Sequence, residues 1–225
     1  MSRPGAWTEL FPHALTLMNH LESVSELCTC TFGGGTVLML RINHRHSKDI
    51  DIFVPDPQYL AYINPRLSDI AESITTDYEE NAESIKLSLT TGEIDIVVGT
   101  SLTPAPFDVV KLAGRTIRVE TSAEIIAKKF LYRGDRPRAR DLFDLCAVAA
   151  LEPDAIPIAL PFMLRHGSAF LRGIHANAAA LKLQFDEIAT IAFNPSYAEC
   201  VEMARSIIAP ALAGAKPDSD VAPCK

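Results

Sequence analysis

The chain has 225 residues, of which 48% are hydrophobic and 22% charged, and its 21 basic and 28 acidic side chains give a net charge of −7. This length fits one large domain or two small ones, and the apolar fraction excludes a disordered or low-complexity chain. The acidic balance excludes a protein that coats nucleic acid through a broad basic surface, although it leaves a local basic patch open.

No stretch approaches the roughly 18 consecutive apolar residues of a membrane-spanning helix. The N-terminal segment also lacks the pattern of a signal peptide, so we expect a cytoplasmic protein that makes no membrane contact. Five cysteines, an odd number in a chain of this length, do not predict a disulfide framework. Cys28 and Cys30 lack further ligands at zinc-binding spacing, so buried free thiols are expected.

The first hundred residues show a mixture of helical and strand periodicity. The elements expected in chain order are a helix over 12–27, a strand over 27–32, a glycine turn at 33–35, a helix over 36–40, and strands over 49–54, 85–90 and 93–98. The last two strands flank Thr91-Gly92, which predicts a hairpin turn.

The second half of the chain is predominantly helical. A strand is expected over 115–119, and Thr121-Ser122-Ala123-Glu124 has the spacing of a capping box that opens the next helix. Pro137 lies near the start of a further helix, and the sequence beyond residue 150 is alanine-rich and punctuated by prolines. We expect an α/β domain over 1–150, a helical region over 151–212 and a flexible tail over 213–225.

The glycine turn predicts an anion site. A glycine turn at the entrance of a helix presents unhindered backbone N–H groups, and the helix dipole adds positive potential there. The segment is not a Walker A loop, because no Gly-Lys-Ser/Thr follows, and it lacks the third glycine of a dinucleotide-binding fingerprint.

Acidic residues follow on the predicted strands. Asp49 and Asp51 are two positions apart and project from one face of a strand. Paired carboxylates repel unless a cation lies between them, and Mg²⁺ prefers carboxylate and phosphate oxygens. Asp95 lies between apolar residues on a later strand, where it is either a third metal ligand or the base that activates an attacking hydroxyl. Each feature alone is more often structural, but their order and spacing favour a catalytic site.

A basic and an acidic series lie in the helices after residue 120. Lys129, Arg133 and Arg136 recur at intervals of four and three, so they share one helical face, which in isolation indicates a solvated surface. Asp141 and Asp144 lie near a helix start, where acidic residues favour the dipole or pair with a neighbouring arginine. Asp144 is expected to be structural.

The two motifs together resemble a known family. Gly34-Gly35-Thr36, followed thirteen positions after Thr36 by Asp49-Ile50-Asp51, resembles the pattern of the polymerase-beta-like nucleotidyltransferase superfamily. The strings GGTVLMLR and HRHSKDIDIF, with ETSAEIIAKKFLYRGDRPRARDLFDL over 120–145, are similar to the AbiEii/AbiGii-type nucleotidyltransferase toxins of bacterial toxin–antitoxin and phage-defence systems. The resemblance spans roughly residues 25–150.

The resemblance implies an α+β fold, with a polymerase-beta-like nucleotidyltransferase mixed sheet, flanking helices and a C-terminal helical region. It makes residues 1–150 the nucleotidyltransferase domain. The implied catalytic set is Asp49, Asp51, Lys129 and Asp141, to which we add Asp95. Asp49 and Asp51 would bind Mg²⁺, and Lys129, with Lys128 as the alternative, would contact the triphosphate. The expected nucleotide-binding set is Gly34, Gly35, Thr36, Arg45, Ser47 and Arg133, with Thr36 supplying the hydroxyl where the superfamily commonly has serine.

The implied activity is transfer of a nucleoside monophosphate from an NTP to an RNA acceptor, such as the 3′ end of a tRNA, by the toxin of a toxin–antitoxin system. A cognate antitoxin would restrain it, either by binding or by phosphorylation of a residue such as Thr36 or Ser47. Two alternatives stay open: a nucleotidyltransferase that modifies a small molecule such as an antibiotic, and a non-catalytic partner-binding module.

Local charge supports an RNA acceptor despite the net charge of −7. Residues 111–140 contain nine basic and three acidic side chains, so this segment is +6 and the remainder of the chain is −13. A basic belt of this kind would hold a triphosphate and one RNA end through a few contacts.

Overall fold

The computed structural model describes residues 7–25 and 28–214, which form two compact units. The first unit contains the chain up to Ile126 together with Ile188–Asn194, and the second contains Ala127–Glu187 and the chain from Pro195 onward. The expected boundary at residue 150 marks the end of the catalytic domain. The division into compact units does not test that boundary, so it stays a prediction. Of the expected tail, residues 215–225 lie outside the described residues.

The first unit is built on a mixed sheet. Its described elements are α1 (Trp7–Val24), β1 (Thr31–Gly33), α2 (Gly34–Ile42), β2 (Ile50–Val54), a 3₁₀-helix (Pro57–Ile63), α3 (Asp69–Glu72), β3 (Tyr78–Asn81), β4 (Ser84–Leu89), β5 (Gly92–Val98), β6 (Phe107–Leu112), β7 (Arg115–Glu120) and α4 (Ser122–Arg133), the last of which continues into the second unit. Within the described residues, seven strands pair in the order β3-β4-β5-β2-β1-β7-β6. The β2–β5 and β1–β7 pairs are parallel and the others antiparallel, which confirms the expected α+β class.

Strand β2 separates the core from an open face of the sheet. Ile50, Ile52 and Val54 are buried, and helix α1 packs against β2 and β5. Asp51 and Phe53 alternate with them and are half-buried on the opposite face. This is the alternation that the sequence predicted, and it leaves the acidic residue beside solvent.

The second unit is helical around an aromatic core. Its further elements are α5 (Ala139–Leu151), α6 (Ala155–Ala176), α7 (Ala178–Asp186) and α8 (Tyr197–Gly214). The rings of Phe130 and Phe170 lie 4.8 Å apart, and those of Phe143 and Phe185 lie 5.6 Å apart. The expectation of a helical C-terminal region is confirmed for the described residues.

The structure corrects several element boundaries. The first helix starts earlier, at Trp7, with Pro12 inside it, and the first strand is only Thr31–Gly33. Because Leu89 pairs with Gly92, the hairpin turn is Thr90-Thr91 rather than Thr91-Gly92. Strands β3 and β6 were not predicted, because they form the two edges of the sheet and lack alternating buried residues.

The cysteine expectation is confirmed for the described residues: Cys28, Cys30, Cys146 and Cys200 are free and buried. Within the same part of the chain, none of the helices combines the length and hydrophobicity needed to span a membrane.

The predicted capping box at the start of α4 is half formed. The Glu124 N–H donates to Thr121 Oγ1 at 3.3 Å, as a cap requires. The Glu124 carboxylate, which is fully buried, instead accepts from Thr103 N at 2.9 Å, from Thr103 Oγ1 at 2.7 Å and from Leu102 N. It therefore ties the segment after β5 to the start of α4.

We expect Glu124→Gln to lower the free energy of unfolding by about 1–3 kcal/mol, because the neutral amide loses charge-assisted hydrogen bonds in a buried position. Urea denaturation measures this, with the exposed Glu72→Gln as the control. Equal stability of E124Q and the wild type would show that the carboxylate does not hold this segment.

Candidate active site

The glycine turn joins β1 directly to α2. Gly33 is extended and Gly34, the first residue of α2, has a φ of 71°. A Cβ atom at Gly34 would overlap the carboxylate of Asp51, and one at Gly33 would overlap that of Glu120. Glycine is therefore favoured at both positions, most strongly at Gly34 with its positive φ, and Gly33, the N-cap residue, has no side chain that could cap the helix. The first N–H groups of α2 thus offer the kind of backbone donors that an anion site needs.

Strand register brings the acidic residues together. Asp51 and Asp95 are direct partners in the parallel β2–β5 pair, and Gly33 is the partner of Asp51 on β1. Asp49 lies one residue before β2, and its Oδ1 accepts the Glu93 N–H at 3.3 Å. Partners in a ladder project from the same face, so Asp51 and Asp95 lie side by side next to the glycine turn.

The environment raises the pKa of Asp95 from 3.8 to about 6. Burial contributes most, because it disfavours the charged carboxylate, and the negative charge of Asp51 adds to the shift. Lys86, the partner of Asp95 on β4, lowers the pKa in opposition. Asp95 is thus a carboxylate whose proton affinity suits a general base at neutral pH.

The Thr36 side chain forms hydrogen bonds with the loop that leads to the aspartates. The Thr36 hydroxyl is fully buried, donates to the main-chain oxygen of Asp49 and lies 3.0 Å from Ser47 Oγ. It therefore positions Asp49 relative to the start of α2. The hydroxyl is thus hydrogen-bonded within the protein, and the expected contact of Thr36 with phosphate stays a prediction.

Arg45 supplies positive charge at the glycine turn. The residue is 6% exposed, and a Cβ atom placed on Gly35 would lie 2.8 Å from Arg45 Nη2. A guanidinium beside the first turn of a helix reinforces its positive potential. The role of Arg45 as a nucleotide-binding residue stays a prediction.

Sequence reasoning missed two residues around these acidic groups. Lys86 is the ladder partner of Asp95 and forms an ion pair with Glu93 Oε2 at 3.1 Å. Glu120 is 1% exposed and accepts the Thr31 hydroxyl at 2.9 Å, beside Gly33. Strand pairing brings both residues close to the acidic groups. In the sequence, each is marked only as a charged residue among alternating apolar ones.

The second motif forms a separate cluster in the helical unit. Lys129 Nζ lies 2.6 Å from Asp141 Oδ1 and 3.0 Å from Asp144 Oδ2, and Arg133 Nη1 lies 3.5 Å from Asp141 Oδ1. Asp141 Oδ2 also accepts the Arg138 N–H at 3.0 Å. Burial alone would raise the pKa of Asp141, but the positive charges of Lys129 and Arg133 lower it. Asp144, expected to be structural, is a partner of Lys129.

The basic belt predicted over 111–140 is only partly exposed. Lys128 is 5% exposed, and the side chain of Lys129 is 11% exposed, whereas Arg136 is 87% exposed. Lys111 and Arg115 lie near the edge of the sheet, on β6 and β7, and Arg115 is exposed. An RNA-binding role for this segment stays a prediction.

The open face of the sheet carries carboxylates without a preformed metal cluster. Among residues 7–25 and 28–214, no group of three or more His, Cys, Asp or Glu side chains is arranged to hold a metal ion. Mg²⁺ commonly takes only one or two carboxylates and completes its coordination with substrate phosphates and water. The residues on the open face fit that pattern, because Asp51 lies beside both Asp95 and the glycine turn.

We expect Asp95→Asn to stabilise the metal-free protein more at pH 8 than at pH 4. The folded state holds the Asp95 proton more tightly than the unfolded chain, so wild-type stability falls as the pH rises from about 4 through about 6. The gain at pH 8 is at most about 3 kcal/mol, since one pKa unit corresponds to about 1.4 kcal/mol and partial exposure screens the charge. Urea denaturation in EDTA measures it, with exposed Asp77→Asn as the control. A pH-independent difference would contradict the raised pKa of Asp95 in the folded protein.

The chain is similar to proteins of a known family and to several solved structures. The family described as Nucleotidyl transferase AbiEii toxin, Type IV TA system, matches residues 16–212. No curated protein sequence gives a match. Among solved structures, JHP933 from Helicobacter pylori is 14% identical, with a TM-score of 0.55 over 94% of this chain and 94% of that one.

Two further structures share the fold. MenT4, a nucleotidyltransferase toxin from Mycobacterium tuberculosis H37Rv, is 19% identical, with a TM-score of 0.53 over 93% of this chain and 85% of that one. The antibiotic-resistance factor ANT(2″)-Ia is 16% identical, with a TM-score of 0.50 over 75% of this chain and 99% of that one. The likeness to the nucleotidyltransferase toxin MenT4 confirms the predicted nucleotidyltransferase fold. Because the family match covers most of the sequence, the chain belongs to the AbiEii nucleotidyl transferase toxin family and is a nucleotidyltransferase of the toxin–antitoxin type.

Proposed function

We propose that this nucleotidyltransferase transfers a nucleoside monophosphate from an NTP to an RNA acceptor, such as the 3′ end of a tRNA, in the cytoplasm and with the help of Mg²⁺. The observation that supports the chemistry is the pairing of Asp51 with Asp95 directly beside the uncapped start of α2. Adjacent carboxylates and an anion site are the two parts that metal-assisted phosphoryl transfer requires.

The nucleotide phosphates would bind at the glycine turn. The main-chain N–H groups of Gly34, Gly35 and Thr36 lie in the first turn of α2, and Arg45 adds a positive charge beside Gly35. Ser47 is half-buried next to Thr36, where its hydroxyl can donate to a phosphate oxygen. These groups position the triphosphate before the reaction.

Asp49 and Asp51 would hold the Mg²⁺ ion, which supplies neutralisation of the charge on the phosphates when it is bound. Asp49 is positioned through its main chain, because its carbonyl oxygen accepts the buried Thr36 hydroxyl. Asp51 is positioned by the ladder that β2 forms with β1 and β5. Both carboxylates are therefore ordered by elements that also form the phosphate site.

Asp95 would act as the general base. Its carboxylate accepts the proton of the acceptor hydroxyl, whose oxygen then bonds to the α-phosphorus. The bond from that phosphorus to the bridging oxygen breaks, and pyrophosphate leaves with the electron pair. A pKa of about 6 leaves Asp95 largely ionised at neutral pH while keeping it a useful proton acceptor.

The second motif enters the proposal through the resemblance alone. Lys129 and Arg133 are proposed as triphosphate contacts, with Lys128 as the alternative to Lys129. Asp141 is proposed to complete the site by holding Lys129, with which it forms an ion pair at 2.6 Å.

We expect Asp49→Ala and Asp51→Ala each to lower nucleotide transfer by about a thousandfold or more, because each removes charge stabilisation from the transition state. Release of labelled pyrophosphate from each NTP in turn, with total RNA as acceptor, measures this. Asp77→Ala, an exposed residue outside the site, is the control, and circular dichroism checks folding. Transfer that persists in a clean Asp49→Ala/Asp51→Ala double variant would overturn the metal assignment.

The acceptor can be identified by incubating the protein with labelled NTPs and either purified tRNA, total RNA or aminoglycosides. We expect label at the 3′ end of tRNA, and growth arrest when the chain is expressed alone but not together with its antitoxin. Label on aminoglycosides only would favour the small-molecule alternative. That alternative is suggested by the fold shared with the antibiotic-resistance factor ANT(2″)-Ia. Absence of transfer to any acceptor by the folded protein would favour a partner-binding module.

A further inference from the structure

A short segment of the C-terminal half returns to the first compact unit. Residues Ile188–Asn194 connect α7 to α8, yet they belong to the unit that contains the sheet. We call this segment the strap. It pairs with the loop after α2 through an isolated antiparallel bridge between Arg45 and Thr190.

The strap forms three main-chain hydrogen bonds with that loop. The His46 N–H donates to Ala189 O at 2.8 Å, and the Ile191 N–H donates to His44 O at 2.9 Å. The Ala192 N–H donates to Asn43 O at 3.0 Å. The first two bonds flank Arg45, so the strap fixes the backbone on both sides of this residue.

The loop itself, residues 43–49, leads from α2 to the paired carboxylates. At its start, the Asn43 N–H donates to Met39 O at 2.9 Å in a left-handed cap with a φ of 51°. At its end, the buried Thr36 hydroxyl donates to Asp49 O. Helix α2 therefore holds the two ends of the loop, and the strap holds the middle of it, around Arg45.

Fixing this backbone determines where the Arg45 guanidinium lies. The side chain folds back so that Nη1 donates to His46 O at 3.2 Å while Nη2 lies beside Gly35. A side chain that is already held in one position loses less rotamer freedom when a ligand binds, so a preorganised Arg45 favours binding.

We infer that the strap is a positioning segment of the nucleotide site, which holds Arg45 at the first turn of α2 so that it is ready to bind the triphosphate. The inference rests on the proposed function, because it takes the glycine turn to be the phosphate site. It also gives part of the helical region a defined role, since the α7–α8 connection acts on the site through the backbone around Arg45.

Two substitutions at one position separate the strap hydrogen bond from the side chain. Ile191→Pro removes both the N–H that donates to His44 O and the isoleucine side chain, whereas Ile191→Ala removes only the side chain. We expect I191P to raise the KM for the preferred NTP about tenfold with kcat changed by less than about threefold, and I191A to raise it less than about twofold. Ala192→Pro, which removes the outer bond, is the second variant if I191P does not fold.

Amide hydrogen exchange and a double-mutant cycle distinguish positioning from general destabilisation. In I191P the His46 amide should exchange faster than in I191A, while the amides of β2 and β5 keep their protection. Arg45→Ala should raise KM by itself, and I191P should add little in that background if the strap acts through Arg45. Full additivity of the two effects, or unchanged KM in an I191P variant whose His46 amide exchanges faster, would overturn the inference.

Nucleotide transfer by the wild type and pyrophosphate binding by the strap variants test the proposed function and the strap separately. If the wild-type protein transfers no nucleotide, the proposed function fails, and binding of inorganic pyrophosphate to I191P and I191A still decides whether the strap organises an anion site. Equal pyrophosphate affinity in the two variants would then refute the strap, and weaker binding to I191P would support it. If the wild type is active and I191P is indistinguishable from I191A, only the strap inference fails.

Discussion

The repulsion between two carboxylates on neighbouring strands is the constraint around which the site is organised. Asp51 and Asp95 are forced together because β2 and β5 pair in parallel with Ile50 opposite Ile94 and Ile52 opposite Ile96. A one-residue slip of this register would expose those buried isoleucines, each of which gains about 2–3 kcal/mol from burial. Hydrophobic packing on one face therefore holds Asp95 partly buried beside Asp51 on the other, and burial, followed by the negative charge of Asp51, raises the pKa of Asp95.

The glycines follow from the same arrangement. Carboxylates occupy the space that a side chain at Gly33 or Gly34 would need, and the turn therefore has only backbone to offer. Backbone N–H groups at a helix start attract negative charge. The glycine turn therefore lies directly beside carboxylates that repel negative charge. In a nucleotide–metal complex the phosphates would bind the N–H groups, and the divalent cation would bind the carboxylates.

Sequence reasoning recovered what depends on local pattern and missed what depends on pairing. The alternation in β2 predicted that Asp51 would face away from the core, and the glycine turn before α2 was evident from composition. Lys86 and Glu120 reach the site only through the order of the strands, which no local pattern specifies. The strap could not be predicted either, because residues near 190 pair with a loop near 45 through main-chain hydrogen bonds. Such bonds do not depend on a recognisable pattern of side chains.

The second motif shows why substitution of a charged residue is a poor measure of its contact with substrate. Lys129 and Arg133 face Asp141 and Asp144, and the two carboxylates are almost fully buried. Removing Lys129 would take away a positive charge that pairs with both buried carboxylates, a loss that destabilises folding whether or not the lysine contacts a nucleotide. Arg45 is also buried, so its removal carries a similar risk. A change in the strap backbone differs in kind, because it removes no charged side chain and acts on how firmly the loop around Arg45 is held. The contribution of position can therefore be separated from the contribution of charge at Arg45, whereas for Lys129 the partners that fix its position are the same carboxylates that balance its charge.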